Sequence, residues 1–145
     1  MAAVTFDSNI FIARPRVELP SNFWMSVVVL AELVVGAEDD TEVKALNAAR
    51  REYEKAGRLL VPDAEDWWLV GKVINSLQRG LKSRQGGQTP RLNADEKYRI
   101  TNDVLIARTA KRAGVTVVTD NVKDFEMIRR FCAVRLVSGD EYFNI

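Results

Sequence analysis

The sequence predicts a three-layer α/β domain with a mainly parallel central sheet, and three observations carry that expectation. Short β-branched runs alternate with longer stretches of helical periodicity along the whole chain. No internal repeat, low-complexity block or long linker divides the 145 residues, so 1–145 reads as a single domain of ordinary size. At 47% hydrophobic and 28% charged, the composition is that of a globular protein able to bury a full core. Such alternation packs helices on both faces of a sheet, and ligands then bind beyond the carboxyl ends of the strands.

The first strand is expected over Ala2 to Phe6, a β-branched and aromatic run that stops at Asp7-Ser8-Asn9. Ile10, Phe11 and Ile12 open a short helix. Ser26 to Val29 forms a second apolar stretch, followed by a helix over Leu30 to Gly36 in which Glu32 is the one charge. The spacing of Val43, Leu46, Ala49 and Tyr53 predicts a helix from Thr41 to Ala56, ended by Gly57. Leu59 to Val61 is a short strand before Pro62. Asp63 then caps a helix carrying Trp67, Trp68, Val70, Val73, Ile74 and Leu77 and reaching Lys82. Ser83 to Pro90 reads as a Gly/Gln-rich loop. Thr101 or Asn102 is expected to cap a helix from Asp103 to Ala113, with Val104, Leu105, Ala107 and Ala110 inward and Gly114 as its stop. Val115 to Thr119 is the clearest strand. A short helix over Val122 to Arg130 and a last strand over Ala133 to Val137 complete the pattern.

Composition narrows the chemistry. The chain has 20 Asp or Glu, 21 Lys or Arg, no His and one Cys. Without imidazole there is no Ser-His-Asp triad, no HExxH zinc site and no His-ligated haem, and one Cys makes neither an internal disulfide nor a Cys-rich zinc site. Carboxylate, amine and hydroxyl chemistry remains, with or without a hard cation such as Mg²⁺. The net charge of +1 argues against a globally electrostatic nucleic-acid binder, although a neutral sum conceals separated patches. One such patch is Arg79, Lys82, Arg84 and Arg91, four cations with no acid between them; as a functional feature it would hold RNA phosphates, as a bland one it is a solvated helix end. With no export signal and no apolar span of about 20 residues, a soluble cytoplasmic protein without membrane attachment is expected.

The acids fall where the fold would place a site. Asp7 follows the first strand and Asp120 follows the strand ending at Thr119, so both should emerge on one edge. Asp103, in the expected first turn of its helix, would be held ionised by the helix dipole. Glu32 within an apolar helix needs a partner, and a metal ion shared with the other carboxylates supplies one. Trp67, Trp68 and Tyr98 either stack on bases or, more commonly for such residues, pack in a core or an oligomer interface.

Four segments resemble the motifs of PIN-domain ribonucleases, in that family's order and across nearly the whole chain: Phe6 to Ile12, Ser26 to Ala37, Asn102 to Ala107 and Val117 to Phe125. The compact size and the Thr119-Asp-Asn-Val-Lys-Asp-Phe125 segment are similar to VapC-type toxins of bacterial toxin–antitoxin modules. The resemblance implies a PIN-like α/β/α domain, cytoplasmic and homodimeric. It implies Mg²⁺- or Mn²⁺-dependent cleavage of an RNA substrate by metal-activated water, held in check by a small VapB-like antitoxin. Carried over, Asp7, Glu32 and Asp103 match the family's first three acidic, metal-binding positions. For the fourth, the family pattern favours Asp124 with Asn121 in support, while strand-end geometry favours Asp120. Thr119 and Asn121 then orient water or a carboxylate.

Other readings use different residues. A haloacid-dehalogenase-like phosphatase also has an Asp after its first strand but needs a second Asp two residues on, where this chain has Asn9. A receiver-like domain needs adjacent acids there and a later strand-end Lys, and neither pattern is evident. An RNA-processing PIN nuclease outside a toxin module, and an inert homologue that only binds a partner, share the same motifs.

Overall fold

β-Branched and aromatic side chains at Val4, Thr5 and Phe6 favour extended backbone, and all three are buried. The computed structural model describes residues 3–84 and 91–144, the side chains of 82–84 excepted. Among the described residues the order is β1 (Val4–Phe6), α1 (Ser8–Ala13), β2 (Met25–Ser26), α2 (Val27–Val35), α3 (Asp40–Lys55), β3 (Leu59–Leu60), α4 (Ala64–Arg84), α5 (Ala94–Ala113), β4 (Thr116–Thr119), α6 (Val122–Arg129), β5 (Leu136–Ser138) and α7 (Gly139–Phe143).

The strands pair in parallel as β1-β4-β5 and as β2-β3, with Phe6 opposite Val118 and Thr119 opposite Ser138. A parallel bridge between Thr5 and Trp24 joins the two groups, giving the spatial order β3-β2-β1-β4-β5. Parallel strands need crossovers, and the helices supply them in layers about the sheet, the predicted three-layer architecture. At the centre α5 packs against α2, α4, α6 and β4. Its Val104, Ile106, Ala107 and Ala110 are fully enclosed. Gly114 ends α5 in the left-handed region at φ 71°, where a side chain would be strained. α3 is a cover helix with no fully buried residue, its Leu46 and Tyr53 half-buried against the core. No helix among the described residues is long and apolar enough to cross a membrane.

Four expectations are corrected, the first being that the helix expected from Leu30 begins at Val27, capped by the Ser26 side chain. The helix bearing Asp103 begins nine residues earlier than expected, at Ala94: Asn93 accepts from the Glu96 amide at 2.8 Å while Glu96 accepts from the Asn93 amide at 3.1 Å, a capping box. Thr101 lies inside the helix and donates to the Lys97 carbonyl at 2.6 Å, so it caps nothing. Helix α4 continues through Ser83 and Arg84, and the remainder of the expected loop, 85–90, lies outside the described residues. The last strand forms later than expected, at Leu136–Ser138, and is followed by α7, a short helix capped by the Ser138 side chain.

Trp67 and Trp68 are 56% and 74% exposed and Tyr98 is 54% exposed, so none of the three is a core residue. The Asp63 cap holds: its carboxylate accepts from the Asp66 amide at 3.0 Å and its own amide donates to Asp66 at 2.9 Å.

Candidate active site

The parallel pairing of β1 with β4 brings the ends of both strands to one edge. Asp7 caps α1 there, and its amide donates to the Val118 carbonyl at 3.0 Å. Its carboxylate is buried and fixed from three sides. Oδ1 accepts from the Ser8 amide at 2.8 Å, and Oδ2 accepts from the Thr119 hydroxyl at 2.8 Å and the Asn9 amide group at 3.2 Å. Thr119 in turn accepts from the Asn121 amide at 3.0 Å and from Asn9 at 3.3 Å. Desolvation by burial raises the Asp7 pKa above its ordinary value; the Thr119 and Ser8 hydrogen bonds oppose that, and the charges of Asp120 and Asp124 add to it.

Glu32 of α2 faces the same edge, half-buried, and accepts from the Ser8 hydroxyl at 3.3 Å. Burial and then the Asp7 charge raise its pKa against the hydrogen bonds of Ser8 and Asn102. No ion pair to Glu32 exists among the described residues, so the Arg partner considered from sequence does not appear there. Asp103 lies mid-way along α5, far from any helix terminus. The expected dipole stabilisation is therefore absent, because the field of a helix end fades within one turn. Burial, followed by the charges of Asp7, Asp124 and Glu32, raises its pKa to about 8, with Arg99 acting the other way.

The two choices for the fourth acid are separated in space. Asp120 is gripped by Arg14, whose Nε and Nη2 donate at 3.0 and 2.9 Å, while the same Nη2 meets Asp140 of α7 at 2.6 Å. Asp124, in the first turn of α6, lines a cleft of about 520 Å³ together with Asp103. It is 40% exposed and lies 3.9 Å from Arg99 Nε. Asp7, Glu32, Asp103 and Asp124 act on one another through their charges, while Asp120, paired with Arg14, acts on Asp7 as well.

The donor set is all oxygen, which suits a hard cation. Among the described residues no three Asp, Glu or Cys side chains already form a closed chelating cluster. Mg²⁺ is ordinarily held by one or two carboxylates and several waters, so an open pair such as Asp103 and Asp124 fits a hydrated ion better than a dehydrated cage.

Sequence reasoning missed Ser8, Asn9, Arg14 and Arg99. Arg99 stands one helical turn before Asp103, a spacing visible once α5 begins at Ala94. Of the predicted basic patch, Arg79 and Arg91 are exposed, and the side chains of Lys82 and Arg84 lie outside the described residues.

Comparison with known proteins agrees with this geometry. Residues 2–130 match the PIN domain family model. Ribonuclease VapC1 of Rickettsia felis (strain ATCC VR-1525 / URRWXCal2) is 29% identical over 149 aligned positions, spanning 92% of this chain and 96% of that protein. Two solved structures share the fold. VapBC-1 from nontypeable Haemophilus influenzae has a TM-score of 0.51 at 21% identity, covering 94% of this chain and 97% of that one. DNA-bound VapBC from Salmonella typhimurium has a TM-score of 0.50 at 23% identity, covering 95% and 98%. The strand order, the acid-bearing strand ends and the match over residues 2–130 together make this chain a member of the PIN-domain family.

Proposed function

We propose that this chain is a divalent-cation-dependent endoribonuclease and the toxin of a VapBC-type toxin–antitoxin module, with Asp7, Glu32, Asp103 and Asp124 carrying the reaction. The observation that carries the reading is the convergence of these carboxylates at one strand edge and its adjoining cleft, where burial and then the charges of Asp7, Asp124 and Glu32 push Asp103 up to about 8 against Arg99. The relative named Ribonuclease VapC1 and the neighbouring VapBC assemblies support the substrate class and the antitoxin partner.

Bound Mg²⁺ or Mn²⁺ would offset the charge that builds on a phosphate during cleavage and lower the pKa of an attacking water. The protein's own groups do the rest. Thr119, Asn9 and Ser8 lock Asp7 in one orientation, so its oxygens need no rearrangement when the substrate arrives. Asp103 and Asp124 border the cleft through which RNA would reach them. Proton acceptance falls to a carboxylate, because the chain contains no His. Asp120 stays outside this set, held by Arg14. Arg79 and Arg91, with Lys82 and Arg84 of the same segment, hold flanking phosphates. A VapB-like antitoxin and a homodimeric cytoplasmic toxin complete the reading.

Induction in cells tests it. Expression should arrest growth and produce new RNA 5′ ends at a restricted set of positions, and both effects should vanish with Asp7→Asn or on co-expression of a VapB-like protein encoded beside the chain. Specific cleavage without growth arrest, and without a neighbouring antitoxin gene, would place the protein among RNA-processing nucleases instead.

A further inference from the structure

The cleft beside Asp103 and Asp124 extends well past the acids, and most of it has no part in holding a cation. Its lining is mixed: Leu77 and Leu81 of α4, Leu92, and Met127 of α6 supply an apolar part, and Arg99 and Arg130 line it as well. At about 520 Å³ it falls within the roughly 300–1,000 Å³ of small-ligand sites, room for a base with its ribose. Apolar walls beside guanidinium groups match the chemistry of a nucleotide, whose base is flat and weakly solvated and whose phosphates are anionic. Glu96 and Ser76 add polar groups able to meet the edge of a base.

Gly80, one of the lining residues, keeps this side of α4 open. It lies inside α4, where glycine costs about 1 kcal/mol relative to alanine. Neither a left-handed φ nor a close neighbour requires it, since an added Cβ would meet nothing within 4 Å. Its side of the helix lines the cleft. The missing side chain therefore leaves the pocket open.

We infer that this cleft is a nucleobase pocket: RNA is cut where a single unpaired nucleotide, next to the scissile phosphate, leaves its stack and inserts its base between α4 and α6. The inference rests on the ribonuclease reading for its substrate and adds to it a pocket for one unstacked base. Arg99 lines the same cleft 3.9 Å from Asp124, within reach of a phosphate joining the inserted nucleotide to the cut.

The test combines a filled pocket with a missing base. Gly80→Leu places a side chain in the cleft and raises helix propensity, so the chain stays folded; Gly71→Leu, on an exposed part of the same helix, is the control. RNA oligonucleotides carrying one abasic ribose at successive positions are compared with the intact strand and with its duplex. Bis(p-nitrophenyl) phosphate in Mn²⁺ serves as a small diester.

With the intact strand, Gly80→Leu should lower cleavage relative to small-diester hydrolysis at least tenfold, chiefly through KM, while Gly71→Leu leaves the ratio unchanged. In the wild type an abasic site at one position beside the cut should cause a similar loss and add little to Gly80→Leu. Equal cleavage by Gly80→Leu, a flat abasic series, or duplex cut as fast as single strand would overturn the pocket. Binding of labelled RNA in Ca²⁺, read by anisotropy, separates the two claims. A Kd weakened at least tenfold by Gly80→Leu supports the pocket even if the wild type cuts nothing, which would count against the ribonuclease reading alone. Binding that is equal in both proteins, or absent, overturns the pocket.

Discussion

Asp103→Asn should make the cation-free protein more stable at pH 8 while abolishing its activity. Asp103 binds its proton up to about pH 8 in the folded chain, against an ordinary value of 3.8, because burial and three neighbouring carboxylates disfavour its charge. The sign follows from linkage. Between these pH values the folded chain retains a proton that the unfolded chain has released, so stability falls as pH rises through the window. At about 1.36 kcal/mol per pH unit the full window would cost on the order of 6 kcal/mol. The carboxylate is only half-buried, so water screens the repulsion and about 2–3 kcal/mol is the realistic loss at pH 8. Asparagine keeps the shape and removes the charge. Urea unfolding in EDTA at pH 4, 6 and 8 should give curves for wild type and Asp103→Asn that coincide near pH 4 and separate steadily towards pH 8, the variant being the more stable. Mg²⁺ at millimolar concentration should close the gap by raising the wild-type midpoint more than the variant's. A variant destabilised equally at all three pH values would refute the electrostatic account of the site.

Further outcomes follow from other contacts. Asp66 is fully buried yet titrates below its ordinary value: burial raises it, but the hydrogen bond and charge of Arg112, the Asp63 amide and Arg108 outweigh that. Asp66→Ala should therefore cost about 2–4 kcal/mol in denaturant unfolding at pH 7, and the cost should shrink as pH falls through the acid range where Asp66 protonates. A methyl at Gly139 would collide with the Asp120 carboxylate and press on Arg14, so Gly139→Ala should loosen α7 and cost about 1–3 kcal/mol, read as a lower midpoint and faster amide exchange in α7. Thr119→Val removes the hydroxyl that orients Asp7 without changing the fold, and should lower kcat about tenfold to a hundredfold with little change in midpoint. Asp120→Asn should retain most cleavage, since Arg14 already pairs with that carboxylate; its loss of activity to the level of Asp124→Asn would reverse the assignment of the fourth acid.

How much of this was legible in the sequence depended on the distance over which each signal acts. Asp7 could be placed because the β-branched run before it ends abruptly, and the end of a parallel strand is a position with known consequences. Asp103 was found on the right helix with the wrong surroundings. Thr101 and Asn102 have the composition of a cap, but the true cap, Asn93 with Glu96, lies eight residues earlier, directly after a Gly/Gln-rich stretch. That slip turned a mid-helix acid, repelled by its neighbours, into one apparently stabilised by a helix terminus. The choice between Asp120 and Asp124 could not be made locally, because the residue that separates them is Arg14, more than a hundred positions away and held also by Asp140 of an unforeseen helix. The exposed Trp67 and Trp68 illustrate a similar limit: helical periodicity marks which residues share a face but not where the packed face ends.

The most direct measurement of the central claim is cleavage of a labelled single-stranded RNA by the purified full chain, freed of any antitoxin, in Mg²⁺, in Mn²⁺ and in EDTA, beside Asp7→Asn and Asp103→Asn. Cation-dependent cutting by the wild type, abolished by EDTA and by either substitution, is the result predicted from four mutually repelling carboxylates. Cutting that persists undiminished in EDTA, or that both variants perform at the wild-type rate, would contradict it.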